Sequence, residues 1–531
     1  MKLVVDNTDR IVLNEGDEKI SLKQTLIVGK SGHGKSLCLE RGIYNYWKNG
    51  FNIICINDAK DLLESAFMGF PAEIIADYHK KALQEQNIEP LTPDIIIFHP
   101  FSFKTPKTRI PQISLFTFPI LAIRDSEIGF LLEDSEDRTT REILLSALNN
   151  IKEDDSLWDF LLKVEIMIER QIKEFGIQRG KIPDPKSFGL SGTSMGSLKN
   201  IDEILRSFNR FQLNMFLMPE NFELNLDIEE LFENPEKIKI FTTRYIDDQK
   251  TKDFVVLMLL NQIVKNAYKS KHPILIVMDE LKDLCPSNTN LGYKKILAKE
   301  ISRMLNTMFR ANNIASISTS QSFSGISKYL LRTNCFTEVF IGSLDSETDL
   351  LNLKQIYNFD KPIINSIQNL DFNCFLIRGI PDLPINAQED NPFRSLFSPF
   401  PHKEPYYKFD DLFEKYYPEK MNKYSEILNK MESLKEKFIN KNMDFKLSKI
   451  KQEEEQNIKQ QKEKDEIKEL KDKVEKLNLE KKQSKAEQIK QRNDEIWNLR
   501  NELTQEELAL KFNISQPMVN EILKKKTNEG F

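Results

Sequence analysis

Disulfides and metal cages are the first things the sequence lacks. The 531 residues include five cysteines, Cys38, Cys55, Cys285, Cys335 and Cys374, and five scattered histidines. No two cysteines form a CxxC pair, and Cys38 and Cys55 lie among apolar residues. They read as buried thiols of a reducing cytosol, not as bridges or zinc ligands. Long hydrophobic runs are missing too. The longest purely apolar stretch is Phe254 to Leu260, against the ~20 residues a membrane span needs. The opening "MKLVVDNTDR" has no apolar core of a signal peptide. The expectation is a cytoplasmic protein with no intrinsic membrane span, held at a membrane only through a partner if at all. An excess of one charge is also absent: 76 Lys and Arg stand against 81 Asp and Glu, for a net charge of −5. No general nucleic-acid field follows, so any DNA site must be local.

What is present is length and alternation. A chain this long predicts about three to four domains. Residues 1–400 hold short, often β-branched apolar runs: "TLIVG", "FNIICIND", "DIIIFHP", "IKIFTT", "PILIVMDE" and "IASISTSQ". Helical patterns lie between them. Near-continuous apolar strands alternating with helices predict an α/β fold, a mainly parallel sheet covered by helices on both faces. Between residues 100 and 235 the alternation dissolves, which predicts a helical insertion. Residues 401–495 are a charged helical linker almost free of glycine, proline and aromatics. Ile467, Leu470, Val474 and Leu477 follow a 3-4-3 spacing there, but Lys481 and Ser484 occupy the next seam positions. A solvated helix laced with ion pairs and a short coiled coil are both readings of this segment. Residues 496–531 form a third region, a small all-α unit.

The first predicted strand runs into "GKSGHGKS", Gly29 to Ser36, which matches GxxxxGK[ST] with a strand before it and a helix pattern after it. Glycines let the backbone curl so that successive N–H groups converge on phosphates, and the helix N-terminus adds positive potential. Gly29, Lys30, Ser31, Gly32, His33, Gly34, Lys35, Ser36 and Leu37 are the candidate nucleotide contacts. Lys35 suits the β- and γ-phosphates, and the Ser36 hydroxyl suits magnesium. Downstream, "ILIVMDE" is an apolar strand ending in two acids. Asp279 can order magnesium and Glu280 can polarise an attacking water. The next apolar strand ends at Gln321, inside "SISTSQSFSG". An amide beside Asp279 at the same sheet edge can contact the γ-phosphate or the water.

These three strand ends, in this order, resemble the FtsK–HerA superfamily of P-loop ATPases. "ICINDAKDLLE", with Asp58, Lys60 and Asp61, is similar to the group's second-strand motif. "IDDQKTKDFVVLMLLNQIVKNAY" resembles the helix before Walker B, "DELKDLCP" the acidic strand end, and "FRANNIASISTSQSFSGISKYLLRTNCFTEVFIGSL" the sensor strand and its sequel. The resemblance covers about residues 21–385, apart from 100–235. With the phosphate loop beginning at Gly29, the expectation is a motor core with a different attachment from the N-terminal barrel of HerA motors or the N-terminal spans of membrane-anchored coupling proteins. The resemblance implies ATP and Mg2+ as ligands, a homo-oligomeric, hexameric ring on double-stranded DNA, and an arginine acting on the neighbouring subunit's nucleotide. Arg303 and Arg310, seven apart and opposite the stripe Leu297, Ile301, Met304, Leu305 and Met308, are candidates for that role. Arg332 is a further one.

At the C-terminus, Thr504 and Glu507 form a capping box before a helix with Leu508, Ala509 and Phe512 on one face. Asn513 suits a left-handed turn, and Val519, Ile522 and Leu523 face back from a second helix. The segment resembles the helix-turn-helix of phage repressors and sigma-like factors. That resemblance puts Gln516, Pro517, Met518 and Asn520 toward bases, and Lys524, Lys525 and Lys526 near phosphates. A small bundle for protein contact is the alternative. Together these features predict a DNA-stimulated ATPase that pumps DNA in packaging, transfer or processing, with a nuclease, portal or secretion channel as partner. The alternatives are an ATP-switched DNA-binding regulator or partition protein, and the ATPase of a protein or pilus assembly system.

Overall fold

The computed structural model describes residues 4–6, 22–56, 75–101 except 92, 113–155 except 124 and 132–137, 160, 163, 217–287 except 244, 245 and 247, 292–378 except 333 and 334, 393–400 except 396, and 481–528, with isolated positions from 415 to 474. Two compact units divide the chain, Met1–Lys435 and Glu436–Phe531.

The first unit is built on strands. In chain order they are β1 (Val4–Asp6), β2 (Gln24–Val28), β3 (Asn52–Ile56), β4 (Asp94–Pro100), β5 (Ile113–Phe116), β6 (Phe118–Pro119), β7 (Leu217–Met218), β8 (Lys237–Phe241), β9 (Ile274–Met278), β10 (Ile314–Ser320), β11 (Glu338–Ile341), β12 (Cys374–Arg378) and β13 (Phe393–Ser395). Eleven of them make one sheet in the order β1-β13-β12-β11-β2-β10-β9-β3-β8-β4-β5. Pairing is parallel from β5 through to β11. It turns antiparallel from β11 through β12 and β13 to β1. Strands β2, β3, β9 and β10 are buried along their whole length. That is why their sequences are near-continuous apolar runs: helices cover both faces.

Two helices fix the centre of the sheet. Lys35–Lys48 follows β2 and lies tightly on β10; a Cβ on Gly42 would come 2.8 Å from Ile317 Cδ1. Gln249–Asn266 starts at Asp248, whose side chain accepts the Thr251 N–H. Every residue from Asp253 to Leu260 on this helix is buried, so the longest apolar run of the sequence is a core helix. Each buried Val, Leu or Phe there contributes roughly 1.5–3 kcal/mol relative to exposure. Its one buried acid, Asp253, pairs with Lys294 at 2.5 Å. Burial pushes the Asp253 pKa up to about 6, against the pull of Lys294.

The segment 100–235 departs from a purely helical insertion. It holds helices Asp125–Leu131, Arg138–Asn149 and Ile228–Glu233, but also β5 at the sheet edge and the parallel pair β6–β7. The short runs around Phe116 and Phe118 are aromatic and suit a pleated surface; these two rings pack edge to face, 5.5 Å between centroids. Residues 164–216 lie outside the described residues, as do Asp58, Lys60 and Asp61 of the second-strand motif. All five cysteines are buried free thiols. Among the described residues, no helix is long and apolar enough to cross a membrane.

In the second unit a helix over 481–498 precedes Gln505–Lys511 and Gln516–Asn528. Ile496, Leu508, Ala509 and Val519 form its core, with Leu499, Leu503, Phe512, Ile514, Ile522 and Leu523 packed around them. Thr504 and Glu507 make a reciprocal capping box. Asn513 takes the left-handed turn between the helices at φ 51°. Leu470 and Val474 are exposed; Ile467 and Leu477 lie outside the described residues.

Candidate functional site: the carboxyl edge of β2, β10 and β9

Three neighbouring strands end together. β2 stops at Val28 and the chain enters the glycine-rich loop. Gly29 donates its N–H to the Ser320 carbonyl at 3.2 Å, and Lys30 donates to the Ser343 carbonyl at 2.7 Å. The loop thereby hangs between the ends of β10 and β11. Gly32 and Gly34 both adopt positive φ, 79° and 86°, a region open to glycine at little steric cost. Gly29 is required for a different reason: a Cβ there would stand 3.3 Å from Gly342 Cα. Ser31 is exposed, and Lys30 reaches sideways to both carboxylate oxygens of Asp345 at 2.9 Å. Lys35 is buried and curls back, its Nζ donating to the Lys30 carbonyl at 3.0 Å. Ser36 lies in the first turn of the following helix, half-buried, with Leu37 buried beside it. Desolvation, followed by the nearby Lys30 ammonium, lowers the His33 pKa.

This backbone path, with Lys35 folded over it, is a cradle of N–H donors at a helix N-terminus, suited to a chain of phosphates. No side chain obstructs Gly32, where a Cβ would meet nothing within 4 Å. The residues present therefore fit a polyphosphate.

β9 ends at the acids. Asp279 is half-buried, and its Oδ1 accepts the Thr319 hydroxyl at 2.5 Å. Glu280 is buried and left-handed, with φ 50°. Its N–H is held by Thr319 Oγ1 and Asp279 Oδ1, each at 3.1 Å. A non-glycine residue in that conformation is strained by about 1–3 kcal/mol and persists when its surroundings fix it; here Thr319 helps to do so. Gln321 follows directly on the end of β10. Its amide Nε2 donates to Glu280 Oε1 at 2.5 Å, while Lys282 lies 3.8 Å from Oε2. Thr319 and Gln321 stand two residues apart, so the pleat sends both toward the acids. Strand β10 lies between β2 and β9. The amide-ended strand is thus interposed between phosphate cradle and carboxylates.

Thr319 is a residue that sequence reading missed. In a buried strand a threonine reads as a β-branched filler; its spacing of two from Gln321 is the signal that could have found it. The arginines are not brought to this edge by any described contact. Arg303 is exposed and paired with Glu300 at 2.7 Å, and Arg310 is exposed. Between them Met304–Met308 is a π-helical segment, so their seven-residue spacing does not place them on one α-helical face. Arg332 ends helix Lys328–Arg332.

In the second unit, Gln516, Pro517, Met518 and Asn520 are exposed on the first turns of the last helix, with Lys524 and Lys525 exposed further along. Lys526 instead pairs with Asp494 at 2.6 Å.

A glycine-rich loop after one strand, two acids ending another and an amide-ended strand between them define a P-loop NTPase fold. No protein-family model matches the sequence, and no curated protein matches it. Among solved structures, the chain is similar to VirB4 of Thermoanaerobacter pseudethanolicus at 12% identity and a TM-score of 0.45, over 76% of this chain and 96% of that one. It is similar to the plasmid coupling protein TrwB in complex with ADP and Mg2+ at 13% identity and a TM-score of 0.43, over 77% and 96%. It is also similar to the genome packaging NTPase B204 from Sulfolobus turreted icosahedral virus 2 in complex with ATP-gammaS, at 8% identity and a TM-score of 0.28, over 70% and 97%.

Proposed function

We propose that the chain is an ATPase of the FtsK–HerA type that moves double-stranded DNA. The observation that carries the ATPase reading is the contact of Gln321 with Glu280 on a strand bordered by the phosphate loop and by Asp279. The backbone of Gly29 to Gly34 and the Lys35 ammonium hold the phosphates of ATP. Ser36 and Asp279 are the residues that would hold Mg2+, which supplies positive charge against the transferring phosphoryl. Thr319 orients Asp279. Glu280 accepts the proton of the attacking water, and Gln321 keeps its carboxylate in place beforehand. Exchange of the Lys35 contact with the Lys30 carbonyl for phosphate releases the loop backbone as the ligand enters.

The DNA reading rests on the helix-turn-helix of the second unit. Gln516, Met518 and Asn520 are free to meet base edges, and Lys524 and Lys525 to meet phosphates. A ring of subunits, with Arg303, Arg310 or Arg332 facing the neighbour's nucleotide, completes this reading. A second reading, an ATPase of a secretion or assembly system, is favoured by one feature. Lys526 is neutralised by Asp494, and Glu521 is exposed on the same helix, which lowers its attraction for phosphate.

The test is ATP turnover of the whole protein with and without long double-stranded DNA, beside Lys35→Ala. Stimulation that grows with DNA length, and its loss in the variant, is the result expected of a DNA motor. Turnover indifferent to DNA favours the assembly reading. Equal turnover in Lys35→Ala removes the site assignment.

A further inference from the structure

The phosphate loop is gripped by the chain on both sides of β2. Gly29 bonds the Ser320 carbonyl at the end of β10, and Lys30 bonds the Ser343 carbonyl just past β11. The Lys30 ammonium adds its pair with Asp345 at 2.9 Å. Beyond these points the same two segments are joined a second time, by one side chain.

That side chain is Asp349. It lies in the first turn of helix Glu347–Tyr357, which follows β11, and is 3% exposed. Its Oδ1 accepts the Ser322 hydroxyl at 2.9 Å and the Ser324 N–H at 2.6 Å. A buried carboxylate is costly unless it is hydrogen-bonded, and both donors come from the loop that follows Gln321. The contact commits Ser322, because a hydroxyl has one proton and two lone pairs. The proton goes to Asp349. The Gly325 N–H donates to the oxygen at 3.0 Å, and the Ser324 hydroxyl, 3.1 Å away, is left as the donor of its pair. The rest of the loop is fastened to the segment after the acids. Ser287 donates its N–H to the Gly325 carbonyl, and Ser327 to the Cys285 carbonyl, each at 2.8 Å.

The bonds close a circuit. It runs from Gly29 to Ser320, along the chain to Ser322 and Ser324, across to Asp349, and back through Asp345 and Ser343 to Lys30. Gln321 lies within it, between Ser320 and Ser322. Strand β10 fixes Gln321 from one side only; Asp349 fixes it from the other.

We propose that Asp349 is a positioning residue for ATP hydrolysis. By holding Ser322 and Ser324 it keeps Gln321, and through Gln321 the Glu280 carboxylate, in register with the phosphate loop. The proposal rests on the ATPase reading. Asp349 acts on the reaction only through Gln321. Its loss frees the loop after β10, so hydrolysis slows, while the cradle backbone and Lys35 bind phosphates as before.

The experiment measures single-turnover hydrolysis and ATP affinity of the full chain with Mg2+. Wild type is compared with Asp349→Ala, Asp349→Asn, Ser322→Ala, Lys35→Ala, Gln321→Leu and the double variant Asp349→Ala/Gln321→Leu. Asp349→Ala should hydrolyse about ten-fold more slowly, the scale of a lost hydrogen bond to a charged group, with ATP affinity within about two-fold. Asp349→Asn keeps an acceptor oxygen and should recover most of the rate. The double variant should be no slower than Gln321→Leu alone, because both changes remove one function. A carboxylate that only supports the fold would slow both backgrounds by the same factor. That equal slowing, a wild-type rate in Asp349→Ala, or no recovery in Asp349→Asn overturns the proposal while the cradle stands. If Asp349→Ala does not fold, Ser322→Ala decides the matter, since it removes one hydroxyl from a half-buried loop residue. A slowed rate that adds nothing to Gln321→Leu is then the result expected, and a wild-type rate or equal slowing refutes. Undiminished turnover in Lys35→Ala removes the ATPase reading itself, and this proposal with it.

Discussion

Thr319→Val isolates the contact that sequence reading missed. Valine keeps the β-branched shape that a buried strand favours, so the sheet persists. The change removes only a hydroxyl that donates to Asp279 Oδ1 at 2.5 Å and accepts the Glu280 N–H at 3.1 Å. A hydrogen bond to a charged group is worth roughly 1.5–3 kcal/mol. Residues that orient metal ligands typically carry 10–100-fold in affinity or activity, which is the same range in energy. The expected result is a 10–100-fold higher Mg2+ concentration for half-maximal turnover, with metal-free nucleotide binding unchanged. The assay is steady-state ATP turnover across a magnesium titration, beside nucleotide binding in chelator. A variant with wild-type magnesium dependence and turnover within two-fold would refute the reasoning that Thr319 aims Asp279.

Gln321→Leu deletes the amide that holds Glu280; single-turnover hydrolysis should slow about 10–100-fold with nucleotide affinity intact, and equal rates would count against the pairing. Gly34→Ala places a Cβ at φ 86° and 2.9 Å from Asn373 Cα; thermal unfolding should drop by several degrees, for a cost of about 1–3 kcal/mol, and nucleotide binding should be lost with it. His99 is buried, and burial lowers its pKa from 6.5 to about 4. The unfolded chain takes up a proton between those values and the folded chain does not, so stability falls as pH falls from 6.5 to about 4. The loss amounts to about 3 kcal/mol at most, and urea titrations of His99→Gln should show a flatter profile in that window.

The sheet was legible because parallel strands covered on both faces need apolar residues throughout, and β2, β3, β9 and β10 have them. The phosphate loop was legible because its glycines are local: Gly32 and Gly34 meet their φ requirement whatever packs around them. The capping box at Thr504 is local in the same way. What stayed hidden depends on distant partners. β1 and β13 are three residues each and pair from opposite ends of the first unit, so neither carries a pattern of its own. The strands within 100–235 are two to four residues long, too short for periodicity to register. Asn373 reads as a turn residue until Gly34 is seen against it. Arg303 and Arg310 share a face only under an unbroken 3.6-residue period, which the π-helical turn Met304–Met308 interrupts.

That interruption has its own consequence. Met304–Met308 sits between the acid-ended strand and β10, and a π segment carries one residue more per turn than the α-helix around it. The helix holds a spare residue. A deletion of one amino acid there can be absorbed by the segment relaxing to α geometry, with β10 kept in register. The same deletion inside β10 would bring Ser318 or Ser320 to the place of Thr319 and turn Gln321 to the other face. Length variation in this stretch should therefore collect in the helix, and a library of single-residue deletions across 300–321, selected for turnover, would find its survivors before Ile314.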